Sequence, residues 1–346
     1  EEKKNDTLYK KEDFKNISKE KFALLDSIKL DTFLMKNGFP KKYNAAGVKE
    51  LVASGKLKPT DIYDWLIADD GFQNAGIYGC EVYRSDDAGL HWKKTNIKDI
   101  RAYSSYGYYF GKIYVSPTDE NRVITFGVNM ILSSDGGKTF KSVDKNNTHG
   151  DWHICWINPA KDSHWIAGND GGCNITYDDG KKWFKATNVP AGQFYNITTD
   201  NATPYNIYGG LQDNGVWMGA SKQGYDGEDE KKLPEPDEYE WKPINGGDGM
   251  QVQVDTRDNK TAYSGSQFGY YSRANTDGNK DYLFIHPMHD LGEAKLRYNW
   301  QTPIWLSKHN QDIFYFGANK FYRSLDKAEN LLALSADLTN GKKPGH

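Results

Sequence analysis

Ser133-Ser134-Asp135-Gly136-Gly137-Lys138-Thr139-Phe140 returns in altered form as Ser85-Asp86-Asp87-Ala88-Gly89-Leu90-His91-Trp92 and as Thr176-Tyr177-Asp178-Asp179-Gly180-Lys181-Lys182-Trp183. The shared pattern is Ser/Thr-x-Asp-x-Gly-x-x-aromatic. Asp and Gly are tight-turn residues, a hydroxyl and a carboxylate can bond backbone groups within the turn, and the aromatic residue anchors the returning strand. The expected structural residues are therefore Ser85, Asp87, Gly89 and Trp92, then Ser133, Asp135, Gly137 and Phe140, then Thr176, Asp178, Gly180 and Trp183.

Outward from each turn the chain repeats a longer frame, in which one apolar strand ends in a turn and a second ends in glycine. Residues 113–117 (IYVSP) precede 122–127 (RVITFG), 155–159 (CWINP) precede 164–168 (HWIAG), and 197–200 (ITTD) precede 206–209 (NIYG). The frame returns at 252–255 (VQVD) with 261–265 (TAYSG), and at 303–307 (PIWLS) with 313–317 (IFYFG), which runs into a degraded turn motif, Ser324-Leu325-Asp326. Successive glycine anchors lie 41 to 56 residues apart, the length of a four-stranded propeller blade. Period-two alternation of β-branched and aromatic residues supports strands throughout. The expected fold is an all-β propeller of four-stranded blades.

Composition is consistent with that body. The 346 residues include 23 Tyr, 10 Trp and 34 Gly, and the net charge of −3 with no basic cluster gives no argument for nucleic acid. No apolar run is long enough to span a membrane. Cys80, Cys155 and Cys173 are odd in number and lack metal-ligand spacing, so they read as small buried hydrophobes rather than a disulfide framework.

The turn motif resembles the Asp-box, or BNR repeat, of sialidase-, sortilin- and xyloglucanase-type propellers. Residues 79–338 as a whole resemble the bacterial sortilin-like BNR-repeat proteins often labelled glycosyl hydrolases. The resemblance is carried by residues 164–172 (HWIAGNDGG), 205–217 (YNIYGGLQDNGVW), 246–254 (GGDGMQVQV) and 297–303 (RYNWQTP). It implies a chain from the bacterial periplasm, cell surface or secreted fraction, with a peptide, protein or polysaccharide as its ligand.

Two regions are expected. Residues 1–78 read as a charged leader and helical insert. In it, Phe22, Leu25, Ile28, Phe33 and Leu34 mark a helical stretch, and Asn44 and Thr60 open two shorter helices. Residues 79–346 read as about five to six blades. The inner strands of the first blade are not legible before Gly79, so the ring is expected to be incomplete in this chain. A missing segment or a partner chain would complete it.

In a four-stranded blade the Asp-box turn joins the third and fourth strands. The second-to-third turns and the blade-to-blade connections therefore share the opposite face. Asp170 and Asp213 fall in such turns, while His149, Asp151, Trp152, His153, Asp248, Arg297 and Trp300 fall in connections. Glycoside cleavage uses two carboxylates, one as general acid and one as base or nucleophile, and Asp213, Asp248 and Asp170 are the candidates. Asp151, Trp152, His153, Trp217, Arg297, Trp300 and Tyr106 are candidate ligand-binding residues, the aromatics through stacking. An Asp beside Gly and Asn also builds tight loops without any ligand, and that alternative stays open for each of the three.

No dedicated metal site is expected. The Asp, Asn and Gly loops would suit calcium at most, and no other cofactor is expected. Sialidase chemistry is set aside, because it clamps a carboxylate sugar with several arginines. This chain has seven, mostly in strands or turns, and no RIP motif. Trp156, Trp165 and Trp305 lie within strands, where core packing is the expectation. Two readings remain: a non-catalytic extracytoplasmic propeller that binds a peptide, protein or glycan, and a glycoside hydrolase. The absence of an identifiable carboxylate pair favours binding.

Overall fold

Residues 8–67, 79–102, 111–186, 192–221, 241–278, 281–339 and 341 are described by the structure, a computed structural model. Tyr106 lies outside them. Strands β1 (Tyr83–Arg84) and β2 (Lys93–Lys94) form a two-stranded sheet. Five four-stranded sheets follow. The second holds β3 (Lys112–Val115), β4 (Val123–Phe126), β5 (Met130–Ser133) and β6 (Lys141–Ser142); the third holds β7 (Trp152–Ile157), β8 (Trp165–Asn169), β9 (Gly172–Thr176) and β10 (Phe184–Lys185). The fourth comprises β11 (Phe194–Thr199), β12 (Asn206–Leu211), β13 (Gly215–Ala220) and β14 (Lys242–Asn245); the fifth, β15 (Gln253–Val254), β16 (Thr261–Ser266), β17 (Tyr270–Asn275) and β18 (Leu283–Ile285). The sixth is β19 (Ile304–Leu306), β20 (Phe314–Gly317), β21 (Phe321–Ser324) and β22 (Leu332–Ala333).

Each four-stranded sheet is an antiparallel meander in chain order, the blade unit of a β-propeller. The first strands of the second and third, fourth and fifth, and fifth and sixth sheets lie next to one another. Side chains cap the free edge of β19: Gln251 and Gln253 accept the backbone N–H groups of Ile304 and Leu306, at 2.9 and 3.2 Å. Capping an edge this way leaves fewer free strand groups to pair with another chain.

The repeated turn works through one hydrogen-bond set. Ser133 Oγ donates to Asp135 Oδ1 at 2.7 Å and accepts the Gly137 N–H at 2.9 Å, while Asp135 Oδ1 accepts the Thr139 N–H at 2.9 Å. The same set forms at Ser85/Asp87/Gly89 and at Thr176/Asp178/Gly180. It forms again at Ser324, whose Oγ donates to Asp326 Oδ1 at 2.5 Å and accepts the Ala328 N–H at 2.9 Å. The motif read as degraded is thus an intact turn, because its bonds need only the hydroxyl, the carboxylate and two backbone N–H groups. Leu331 replaces the aromatic anchor and packs against the core of the fifth and sixth sheets.

Two consecutive residues of every copy take positive φ: Ala88 and Gly89 at 59° and 91°, Gly136 and Gly137 at 72° and 85°, Asp179 and Gly180 at 64° and 73°, Lys327 and Ala328 at 57° and 70°. Ala88 is exposed, so its methyl contributes little packing. Ala88→Gly is therefore expected to stabilise the fold by about 0.5–1 kcal/mol, read from thermal unfolding.

The anchors differ. Trp183 is buried and donates to the Val143 carbonyl at 2.8 Å, and Phe140 packs against Val82, Ile100 and Ala102. Trp92, expected to anchor its strand, is 62% exposed and folds back on its own turn, donating to the Gly89 carbonyl. Trp165 is fully buried as expected, but Trp156 and Trp305 are about half exposed, on sheet faces that no described neighbouring element fully covers. The three cysteines are free thiols, and burial pushes that of Cys155 up to about 12.

Ahead of the sheets, the described residues form four α-helices: α1 (Lys19–Ala23), α2 (Ser27–Lys36), α3 (Ala45–Ala53) and α4 (Asp61–Ile67). The first helical stretch is two helices rather than one. Asp26 caps α2 by accepting the Lys29 N–H, which breaks the run and leaves Ile28 exposed. Asn44 caps α3 by accepting the Gly47 N–H. Phe14, Phe22, Leu30, Phe33, Leu34, Phe39 and Trp65 form a separate core, completed by Leu291 from the connection between β18 and β19. Trp65 stacks on Phe39 at 4.1 Å and donates to the His289 carbonyl at 3.0 Å, while Tyr43 accepts the Leu291 N–H and Lys42 pairs with Asp290. The helices are fastened to the sheets through this connection.

Candidate acidic cleft on the loop face

The β8–β9 and β12–β13 turns and the β6–β7 and β14–β15 connections meet on the face opposite the Asp-box turns. Glycine allows this meeting. A Cβ on Gly210 would lie 2.1 Å from the Met250 carbonyl oxygen, and one on Gly249 would lie 2.0 Å from that of Gly215. Gly215 N–H bonds Gly247 O, and Gly249 N–H bonds Leu211 O, both at 2.9 Å. Much of the glycine in 205–217 and 246–254 therefore serves backbone crossing rather than chemistry.

The crossing brings Asp213 and Asp248 together. Asp213 takes φ 60°, and its backbone N–H donates to Asp248 Oδ1 at 2.9 Å. Burial, then the charges of Asp248 and Asp170, push the Asp213 carboxyl up to about 6. Asp248 is buried, and its N–H donates to Gln267 Oε1 at 3.1 Å.

Asp170 faces them from the third sheet. Its Oδ1 lies 2.6 Å from His153 Nε2, and its carbonyl accepts Asn214 Nδ2 at 3.2 Å, joining the third and fourth sheets. Asp151, at φ 57°, holds its carboxyl above the usual range, first through burial and then through Asp170. Among the described residues no lysine or arginine pairs with Asp151, Asp170, Asp213 or Asp248; the nearby titratable partners are the imidazoles of His149 and His153. A cleft of about 440 Å³ opens here, lined by His149, Asp151, Asp213, Trp217, Asp248 and Gln267 among others. The Trp217 ring is fixed by its Nε1 donating to the Asn214 carbonyl at 2.6 Å. No group of three or more His, Cys, Asp or Glu side chains has metal-binding geometry among the described residues.

Other expected ligand residues lie elsewhere. Trp152 is fully buried, with Nε1 donating to Asp144 Oδ1 at 2.8 Å and its ring against Trp183, so it packs the core and cannot stack on a ligand. As the first residue of β7 it takes the inward side of the strand. Arg297 bonds Asp337 and Thr339, which holds its guanidinium away from the cleft. Trp300 is partly exposed but sits with Phe268 and the Tyr195 hydroxyl, a separate aromatic cluster. Sequence reasoning missed Gln267. It occupies the second-to-third turn of the fifth sheet, the position of Asp170 and Asp213 in the two sheets before, so the blade period carried the signal.

No family model matches the chain, and no curated protein does. Solved structures similar to it include YCF48 bound to D1 peptide, with 11% identity over 74% of this chain and 76% of that one, at a TM-score of 0.28. They also include the GH74 enzyme of Niastella koreensis, with 10% identity over 75% of this chain and 55% of that one, at a TM-score of 0.27. The GH74 xyloglucanase of Xanthomonas campestris shows 13% identity over 71% of this chain and 41% of that one, at a TM-score of 0.25. The chain spans about half the length of the two GH74 enzymes or less.

Proposed function

We propose that this chain is a recognition propeller whose loop-face cleft holds a cationic group of an extended peptide or protein, a lysine, an arginine or an amino terminus. The observation that carries this reading is the convergence of Asp151, Asp213 and Asp248, unpaired by lysine or arginine among the described residues, on one cleft beside Trp217, with the charge of Asp170 acting on the first two from beside it. Removing like charges from mutual repulsion by a bound cation is favourable, and Trp217 offers an aromatic wall for the aliphatic stem. The Asp-box, sortilin-like assignment belongs to the same proposal, supported by the turn's hydrogen-bond set recurring four times. An extracytoplasmic location is expected from the resemblance.

A glycoside hydrolase is the second reading. It is favoured by the Asp213 carboxyl, pushed up to about 6, which suits a general acid. Against it, glycosidase carboxylates stand roughly 5–9.5 Å apart, with the sugar or water between them. Asp213 and Asp248 are instead held against one another, the Asp213 backbone N–H bonding Asp248 Oδ1 at 2.9 Å. Calorimetry with pentalysine, pentaglutamate and a neutral oligosaccharide, beside reducing-end release from a polysaccharide panel, separates the readings. Binding of pentalysine alone, without release, is expected. Release abolished by Asp213→Asn or Asp248→Asn in a folded protein would establish the enzyme instead.

A further inference from the structure

Successive sheets are packed together by buried apolar side chains at four seams. Val82, Ile100 and Ala102 fill the first; Phe126, Met130, Trp152 and Trp165 the second; Tyr208, Val216 and Val252 join the fourth sheet to the fifth; Tyr263, Phe314 and Phe316 join the fifth to the sixth. Among the described residues no such cluster joins the third sheet to the fourth. Trp156, Ile166, Ile175 and Phe184 stand directly opposite one another across all four strands of the third sheet, forming one apolar row. Trp156 is 48% exposed, and Phe184 and Ile154 are each 59% exposed.

The fourth sheet has a matching face that no described sheet covers, where the rings of Phe194 and Trp241 lie over Gly209 and Gly219. One of its faces carries Tyr208 and Val216 into the fifth sheet, and the other carries the cross-strand row Ile197, Gly209, Trp217 and Pro243. Ile197 is 59% exposed, while Trp217 and Pro243 line the acidic cleft. The two sheets touch at the loop face through Asn214 and the Asp170 carbonyl. The cleft is therefore the loop-face end of an apolar seam along which, among the described residues, no buried cluster forms. Asp151 and Asp170 approach it from the third sheet, and Asp213 and Asp248 from the fourth.

We infer that the third and fourth sheets close on each other over this seam when a cationic ligand neutralises the carboxylates at its loop-face end. Apolar burial favours closure, as at the four other seams, and repulsion between the two pairs of carboxylates opposes it. A ligand that binds the closed arrangement better shifts the population toward it. The inference rests on the cationic-ligand reading for its trigger, while the closure itself rests on the two faces that no described sheet covers.

Hydroxyl-radical footprinting of the full chain by mass spectrometry tests it, with pentalysine as the probe and Trp92 and Trp305 as exposed references. Saturating pentalysine is expected to lower oxidation of Trp156 and Phe184 by about threefold or more, leaving the references unchanged. A doubly neutralised variant, Asp151→Asn with Asp170→Asn, is expected to show the same protection without any peptide. Circular dichroism verifies that it is folded. Protection in this variant without pentalysine binding upholds closure and discards the ligand. Bound pentalysine with Trp156 and Phe184 as reactive as the references overturns closure and keeps the ligand.

Discussion

Trp65→Ala is expected to cost about 3–5 kcal/mol and to release the helices from the sheets. The ring is buried, stacks on Phe39, and donates to the His289 carbonyl in the β18–β19 connection. Its removal leaves a cavity and breaks the hydrogen bond to the His289 carbonyl, two penalties at one position. Limited proteolysis of the variant should cut within residues 8–67 while the sheets persist. A loss below about 1 kcal/mol, with the helices still protected, would mean that Lys42, Tyr43 and Leu291 hold the joint without it.

Asp248→Asn combined with Asp213→Asn is expected to weaken pentalysine binding by about 30-fold or more, because two carboxylates in a partly desolvated cleft lose their charge. The same change should stabilise the free protein. The Asp213 carboxyl is pushed up to about 6 in the fold, whereas an unfolded Asp titrates near ~4. Its contribution to stability is therefore present below pH ~4 and is lost as pH rises through about 6. Asp213→Asn removes that loss, so its melting temperature should exceed wild type at pH 7.5 and converge with it near pH ~4. Solvent at the open side of the cleft limits the gain to about 1 kcal/mol or less. A variant that is more stable yet binds less would separate a functional cluster from a structural one.

The blade was legible because its turn is a local object. A hydroxyl, a carboxylate and two left-handed residues fix the hairpin within eight positions, and the alternating strands around it follow from period-two burial. The copy at Ser324 looked degraded because Ala328 and Leu331 replace the glycine and aromatic that the pattern demanded. The hydrogen bonds did not need either. Exposure was less legible. Trp156 and Trp305 sit at strand positions that sequence assigns to a core, yet their burial depends on whether the adjacent sheet packs there, which is a long-range fact.

The site was half legible for the same reason. Loop topology placed Asp170, Asp213 and Asp248 on one face, since the alternation of turns around a meander is fixed by strand count. It could not show that Asp213 and Asp248 would touch, because that contact comes from the close crossing at Gly210 and Gly249. Trp152 was misplaced by a single residue of register, as the first position of β7 turns inward. Arg297 had a partner 40 residues ahead, Asp337, that no local pattern announces.

Calorimetric titration of pentalysine into the full chain at pH 7.5 and at pH 5 tests the central claim most directly. Binding is expected at pH 7.5, weakening as Asp213 becomes protonated toward pH 5, and Asp213→Asn is expected to lose most of this pH dependence. Affinity that is the same at both pH values, and the same in Asp213→Asn and Asp248→Asn as in wild type, would contradict it.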